Sequence, residues 1–471
     1  MSLSLLLISG ALAVLWGAGS CVVRAFPAAF LRRYCQIKGS LMLAVPLSAG
    51  LLLNYTLSFF FRFGSLLWVL ACLSAIGWAL AAANFRELPL NVRRKRLLFV
   101  PAFLLVFFVA HIKNIGVPID SWDARSIHFF HAKIILANEG RIFGIKDFAD
   151  ASVAFSHPGY PNLVPALAGQ IMASAGYWNE FLPKAALSVM LFVALLYLVA
   201  LSDSPGMFLW LALVSRLALA GHLTNGNMDG CLALFCFIFA GFLAAFFTIA
   251  EEDYTANSAV CVLLLGITLN IKNEGYLWLA AVLPAFLSGV LRRRRSSFTG
   301  WLRGIAGSAG QIARFSAFGA FVISGFLCWK YYIRLHALAD VYLSSPLISN
   351  GLRRLASDPP ALRHIFRYCI FDTNVAYLAL AWAAGWLALR AAGREMSPRT
   401  RFLALAAGIY IGLLFAVYIT TPFELLWQLE TSAYRTILPA RLALACALYF
   451  MAVENRVRLP LKRLFLPGDD K

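Results

Sequence analysis

The 471 residues are 61% hydrophobic and only 13% charged, with a mean hydropathy of +0.76, whereas a soluble domain is usually about a quarter charged. That excludes an ordinary soluble fold, and apolar runs long enough to cross a hydrocarbon core of about 30 Å recur from end to end. The formal net charge of +19 does not indicate nucleic acid. Its basic residues fall in short clusters between apolar runs, such as Arg93–Arg96 and Arg292–Arg295, the pattern of cytoplasmic loops under the positive-inside bias.

In chain order, the opening "MSLSLLLISGALAVLWGAGS" lacks the basic n-region of a cleavable signal and reads as the first membrane helix. About thirteen spans fit, near 2–22, 41–60, 65–84, 97–113, 181–201, 207–222, 230–250, 258–271, 276–291, 313–333, 374–390, 402–421 and 437–453. Basic clusters follow the first span (Arg24, Arg32, Arg33, Lys38) and the third (Arg86 to Arg96), and recur at 292–295, 390–401 and 456–463. Placing all of them in the cytoplasm puts the N-terminus outside and the C-terminus inside. The same parity keeps Pro161–Trp178 from crossing, so that apolar segment is expected to lie in the headgroup plane as an interfacial helix. The fold class is therefore an all-α polytopic bundle with interfacial helices in its first large outer loop. Ser296–Gln311 reads as a cytoplasmic linker, and the nine cysteines, mostly single within apolar runs, read as buried thiols rather than disulfides or metal ligands.

The chemistry-bearing residues gather in four outer loops and in one short turn between two apolar runs. The first, about 114–180, opens with "DSWDARSIHFFHAK". Asp123 there either caps a surface helix or is a rigidly held catalytic carboxylate, and the two roles are compatible. Asp120 reads as a solvated loop residue, with a divalent cation as the lesser option. His128 and His131, spaced i, i+3, can meet on one helix face, where headgroup contact is favoured over zinc. "SHPGYP", Ser156–Pro161, fixes a turn beside which His157 can bond a phosphate or simply satisfy the loop. "HLTNGNMDG" puts Asp229 at the outer end of a span, with Gly226 and Gly230 permitting a ligand site or a tight turn. "NIKNEG" places Lys272 and Glu274 between two apolar runs, where they must pair or face a wet cavity. A third loop, 334–373, holds Arg353, Arg354, Arg363 and Arg367, and the fourth, "TTPFELLWQLETSAYR", holds Glu430 and Arg435. Arg435 either binds phosphate or sugar or snorkels to the headgroups.

A span, an outer loop opening with "WDAR", and "HPGYP" before an apolar helix together resemble the polytopic GT-C glycosyltransferases, in the branch of the protein O-mannosyltransferases and lipid A aminoarabinose transferases. The likeness covers about 97–291 well and 402–436 loosely. It implies a catalytic module over 97–345, preceded by a three-helix extension (1–96) and followed by C-terminal helices and loops (346–471). It also implies a polyprenyl-phosphate sugar donor and transfer on the non-cytoplasmic face. Asp123 occupies the place of the family's catalytic carboxylate, Asp229 that of a second acidic residue, and Lys272 that of a lysine in a short Lys-Gly motif. Departures are Ala124 and Arg125 where a second acidic residue is frequent, His157-Pro158 where Lys-Pro or Pro-Pro is frequent, and three additional leading spans.

The expected reaction has Asp123 deprotonate an acceptor hydroxyl while Asp229 orients it, with inversion at the sugar carbon. His157, Lys272, Glu274, Arg435 and Arg125 form the expected substrate-binding set, and positive groups among them would stabilise the departing phosphate. No definite cofactor is called for, a divalent metal being the less favoured option. The acceptor is a glycan, a glycolipid or a protein, and membrane lipids are the other partner. The compact loops point to a bacterial inner membrane with the site facing the periplasm. Competing expectations are an O-antigen ligase or polymerase using a diphosphate-linked glycan and the arginines of 334–373, or a transporter or flippase of lipid-linked sugar.

Overall fold

The computed structural model describes residues 2–25, 39–84, 98–250, 253–292, 309–338 and 347–454. The expected basic clusters at 32–38, 86–96, 293–295 and 456–463, and most of the 296–311 linker, lie outside the described residues. Described residues are helical or irregular, with no strand among them. In a bilayer this is expected, because a helix satisfies its own backbone polar groups where no water can.

Four helices lead into the first outer loop: α1 (Ser2–Ala25), α2 (Leu41–Ser58), α3 (Phe63–Asn84) and α4 (Phe99–Ile115). That loop carries α5 (Phe129–Ala137) and α6 (Leu163–Ala175). The chain continues through α7 (Ala185–Leu201), α8 (Pro205–Leu219), α9 (Met228–Ala245), α10 (Tyr254–Ile271), α11 (Glu274–Arg292) and α12 (Ala309–Leu335). It ends with α13 (Leu347–Ser357), α14 (Ala361–Phe366), α15 (Val375–Ala391), α16 (Pro398–Thr420), α17 (Leu425–Gln428), α18 (Tyr434–Thr436) and α19 (Leu438–Glu454). Each of the thirteen expected segments is a helix. Among the described residues nine are long and apolar enough to span a membrane, or ten if the bent pair Leu425–Thr436 and Leu438–Glu454 counts as one span.

The exposed surface of these helices is apolar, with Leu6, Trp68, Ile76, Leu105, Trp210 and Leu217 all facing outward. On a soluble protein such a continuous apolar exterior would be an aggregation hazard, and lipid is the solvent it suits. The centre is α9, in which all eighteen residues are buried. Trp278 on α11 is locked to it by donating its indole N–H to the Cys236 carbonyl at 2.9 Å.

The leading helices are woven into this bundle. Helix α2 donates from Asn54 to Gln170 of α6 at 2.8 Å, shares a hydroxyl bond between Ser48 and Tyr197 of α7 at 2.8 Å, and meets Ser324 of α12 through Thr56 at 2.9 Å. Interhelical bonds of this kind are worth roughly 0.6–2 kcal/mol each within a membrane. Small residues bring α1 against α2: a Cβ on Gly19 would stand 1.8 Å from the Pro46 carbonyl oxygen.

One expectation changes. Helix α6 does not lay an apolar face outward at an interface. Its residues Leu163 to Met172 are all buried, packed against α2, α5, α7 and α10. The segment is largely apolar, and its one large polar side chain, Gln170, is turned inward to Asn54 of α2, so protein encloses it.

Candidate functional site

Asp123, Asp229, Lys272, Glu274 and Arg435 lie far apart in sequence yet meet at one end of the bundle. Asp229 sits in the first turn of α9, where the helix dipole favours a carboxylate. Lys272 closes α10 with an extended backbone (φ −160°, ψ 155°) and Glu274 starts α11, so the two helices are joined by little more than the charged pair.

The local structure around Asp123 is a wide turn. Residues Ala124–His128 form a π-helical segment before α5, the kind of one-residue insertion that often re-aims side chains at functional sites. Asp123 makes no capping bond, so the cap reading fails. Its Oδ2 instead accepts from Nη1 of Arg435. Arg435 follows a second π-helical segment, Leu429–Ala433. It is steadied by Tyr418 of α16, whose hydroxyl lies 2.9 Å from the Ser432 hydroxyl and 2.7 Å from that of Thr436. Arg435 therefore turns inward and does not snorkel.

The charges alternate along a chain. Arg435 Nη1 also stands 3.7 Å from Asp229 Oδ2. Asp229 Oδ1 accepts from Lys272 Nζ at 2.6 Å, and Lys272 reaches Glu274 Oε1 at 2.9 Å. The Lys272 and Asp229 side chains are each only 4% exposed. Unpaired they would cost several kcal/mol, so the network is a condition for burying either of them.

Beside this chain opens a cavity of about 820 Å³. Asp123, His157, Lys272, Glu274 and Arg435 line it, together with Tyr160, Tyr276 and Lys330, while Leu277, Leu347, Leu414, Val417, Phe423 and Trp427 supply an apolar flank. His157 reaches it from a left-handed backbone (φ 50°), stacked on Tyr160 with ring centroids 5.4 Å apart. A non-glycine residue in that region is uncommon and tends to mark a site where the surroundings enforce it.

Other expected residues fall elsewhere. Arg125 is exposed and does not line the cavity. Asp120 is exposed. Glu430 accepts from the Tyr368 hydroxyl at 3.0 Å outside the cavity. Of the four loop arginines none lines it; Arg354 is engaged with the Tyr418 and Phe423 carbonyls at 2.9 and 2.8 Å, satisfying the open end of α16. Gly226 (φ 92°) serves a turn packed on Ala124, and Gly230 lets α9 start against the His222 carbonyl.

The two histidines have separate environments. His131 contacts Asn162 Oδ1 at 2.8 Å and Ser156 Oγ at 3.2 Å, and burial pushes its pKa down to about 4. His128 is buried beside the charged chain with neither ring nitrogen hydrogen-bonded among the described residues. Burial, reinforced by the Lys272 charge, holds it well below the usual histidine range. Among the described residues no three His, Cys, Asp or Glu side chains gather into a metal-holding group.

Sequence reasoning missed Lys330, Tyr160, Tyr276 and Asn227. Lys330 lay inside a predicted span, where a lysine is by default a functional hypothesis, and that signal could have found it. Asn227 ties the loops together, its Oδ1 accepting from the Ser121 hydroxyl at 2.8 Å. Compared with protein-family models, with curated protein sequences and with solved structures, the chain matches none.

Proposed function

We propose that the protein is an integral-membrane glycosyltransferase, GT-C-like, that moves a sugar from a polyprenyl-phosphate carrier to an acceptor hydroxyl on the non-cytoplasmic face. The observation that carries this reading is the cavity in which Asp123, His157, Lys272, Glu274 and Arg435 line one part and an apolar wall another. A donor that is half lipid and half charged sugar phosphate needs such a boundary.

In the proposed reaction the acceptor oxygen attacks the anomeric carbon as its proton passes to the Asp123 carboxylate. The bond from that carbon to the phosphate oxygen breaks, and its electron pair leaves with the phosphate. Attack opposite the leaving group inverts the centre. Such general base assistance is typically worth about 10²–10⁴ in rate. The Asp123–Arg435 pair gives the step an order: donor phosphate drawing Arg435 away would release the carboxylate for its proton. Asp229, held between Lys272 and Arg435, anchors the two cations and so acts as a positioning residue.

The diphosphate-linked alternative drew on the arginines of 334–373, and none of Arg353, Arg354, Arg363 and Arg367 is among the described residues that line the cavity. The test is Asp123→Asn, with mass spectrometry of membrane lipids at matched protein abundance. A polyprenyl-phosphate sugar should accumulate and its glycosylated product vanish. Unchanged levels of both would reject Asp123 as the base and bring the transporter reading forward.

A further inference from the structure

Among the described residues, two tryptophans with exposed rings line the cavity, Trp122 at 61% and Trp427 at 56%. They keep different company. Trp427 follows α16 and lies near Phe423, ring centroids 5.9 Å apart, in the apolar flank with Leu414 and Val417. That is the side suited to an isoprenoid. Trp122 is set between Ser121 and Asp123, and both of these also line the cavity.

A tryptophan that only anchors a protein at the headgroups needs the right depth and little else. Trp122 is fixed on both sides. Ser121 Oγ donates to Asn227 Oδ1 at 2.8 Å, the Arg125 N–H donates to the Ser121 carbonyl at 3.0 Å, and Asp123 is tied to Arg435. A rigid aromatic side chain offers a large contact face at low entropic cost. Held beside a carboxylate, that face matches a sugar ring, which presents C–H bonds on its flat side and hydroxyls around its edge. The hydroxyls have partners in the same cavity. Its lining residues Asn273 and Glu274 carry oxygens, Oδ1 and Oε2, that accept no hydrogen bond among the described residues. Buried acceptors are normally satisfied, and sugar hydroxyls are donors where an isoprenoid has none. A polypeptide acceptor is held most simply by pairing with a strand edge, and the described residues contain no strand.

We infer that a sugar ring of the acceptor stacks on Trp122, so that the acceptor is a carbohydrate, either a free glycan or the head group of a glycolipid. The inference rests on the glycosyltransferase reading and narrows it. In an inverting displacement the base stands on the side of the anomeric carbon opposite the phosphate. The residue beside Asp123 therefore meets the acceptor and not the carrier.

The first measurement takes full-length variants in cells and reads the ratio of carrier-linked sugar to glycosylated product at matched protein abundance. Melting should be unchanged, because the ring is exposed. Trp122→Ala should raise the ratio about tenfold, the effect of one good aromatic contact. Trp122→Phe should stay within about threefold of wild type, and Trp122→Leu, apolar but not flat, should behave as Trp122→Ala. The second measurement replaces Trp122 by photoreactive p-benzoylphenylalanine in the Asp123→Asn chain and identifies the adducts by mass spectrometry. A carbohydrate adduct without polyprenyl phosphate is expected, and a lipid on it separates glycolipid from free glycan. An adduct carrying polyprenyl phosphate moves the ring to the donor and overturns the acceptor assignment. Peptide adducts, phospholipid adducts alone, or no adduct overturn it as well. Wild-type ratios in Trp122→Ala and Trp122→Leu overturn it too, while blocked transfer in Asp123→Asn leaves the glycosyltransferase reading standing. Unchanged transfer in Asp123→Asn overturns both.

Discussion

His131 is enclosed completely, with its two ring nitrogens placed on Asn162 and Ser156, and that enclosure has a measurable pH signature. Above about pH 6.5 the side chain is neutral in both folded and unfolded states. Below it, the unfolded chain takes up a proton that the folded site refuses until about pH 4. Stability therefore falls as pH decreases through that window, by about 2–3 kcal/mol at pH 4.5. Melting in detergent should show this slope, and His131→Gln should flatten it whatever it does to the absolute melting temperature. An identical slope in the variant would mean that another group titrates. At this scale the sequence exposed the residue types well, because carboxylates and lysines amid apolar runs are costly and so conspicuous. It did not reveal their partners. Asp123 and Arg435 are separated by 312 positions, and nothing local in either stretch encodes the other.

At the scale of elements, the two π-helical segments Ala124–His128 and Leu429–Ala433 flank the two members of that pair. Each adds one residue to a turn and so rotates the chain on its N-terminal side relative to the chain on its C-terminal side, by about 100° per residue. Deleting Ser126 should restore an α-helical turn and swing Asp123 away from Arg435 while α5 keeps its packing. The expected outcome is a melting temperature within a few degrees of wild type (about 1 kcal/mol of stability), with carrier accumulation like that of Asp123→Asn. Full activity in the deletion would show that the wide turn does not aim the carboxylate. Helical periodicity made α5 legible, but not the extra residue in its first turn, because a π-turn has the same apolar pattern on either side. Helix α6 was legible as a helix too. Its enclosure was not, since an apolar segment of thirteen residues fits an interface or an interior equally well until its neighbours are known.

For the whole molecule, orientation is the open quantity with the simplest test. The cavity end carries the exposed Glu139, whereas Glu395, 91% exposed, lies in the turn between α15 and α16. Glu139→Cys should react with a membrane-impermeant maleimide in intact cells and Glu395→Cys only after permeabilisation. The reverse pattern would put the cavity on the cytoplasmic face and refute transfer on the outer side. Helix α2 bonds to α6, α7 and α12 and so packs within the core. The sequence by itself determined the solvent and the class of the protein: hydropathy over 471 residues requires a bilayer, and a bilayer requires helices whose backbone bonds are internal. Only the tertiary structure decided which charges meet. Burial of Asp229 and Lys272 is tolerable solely as a pair, and pairing is set by how α9, α10, α11 and the last loop pack, an arrangement that long-range contacts fix and local sequence does not.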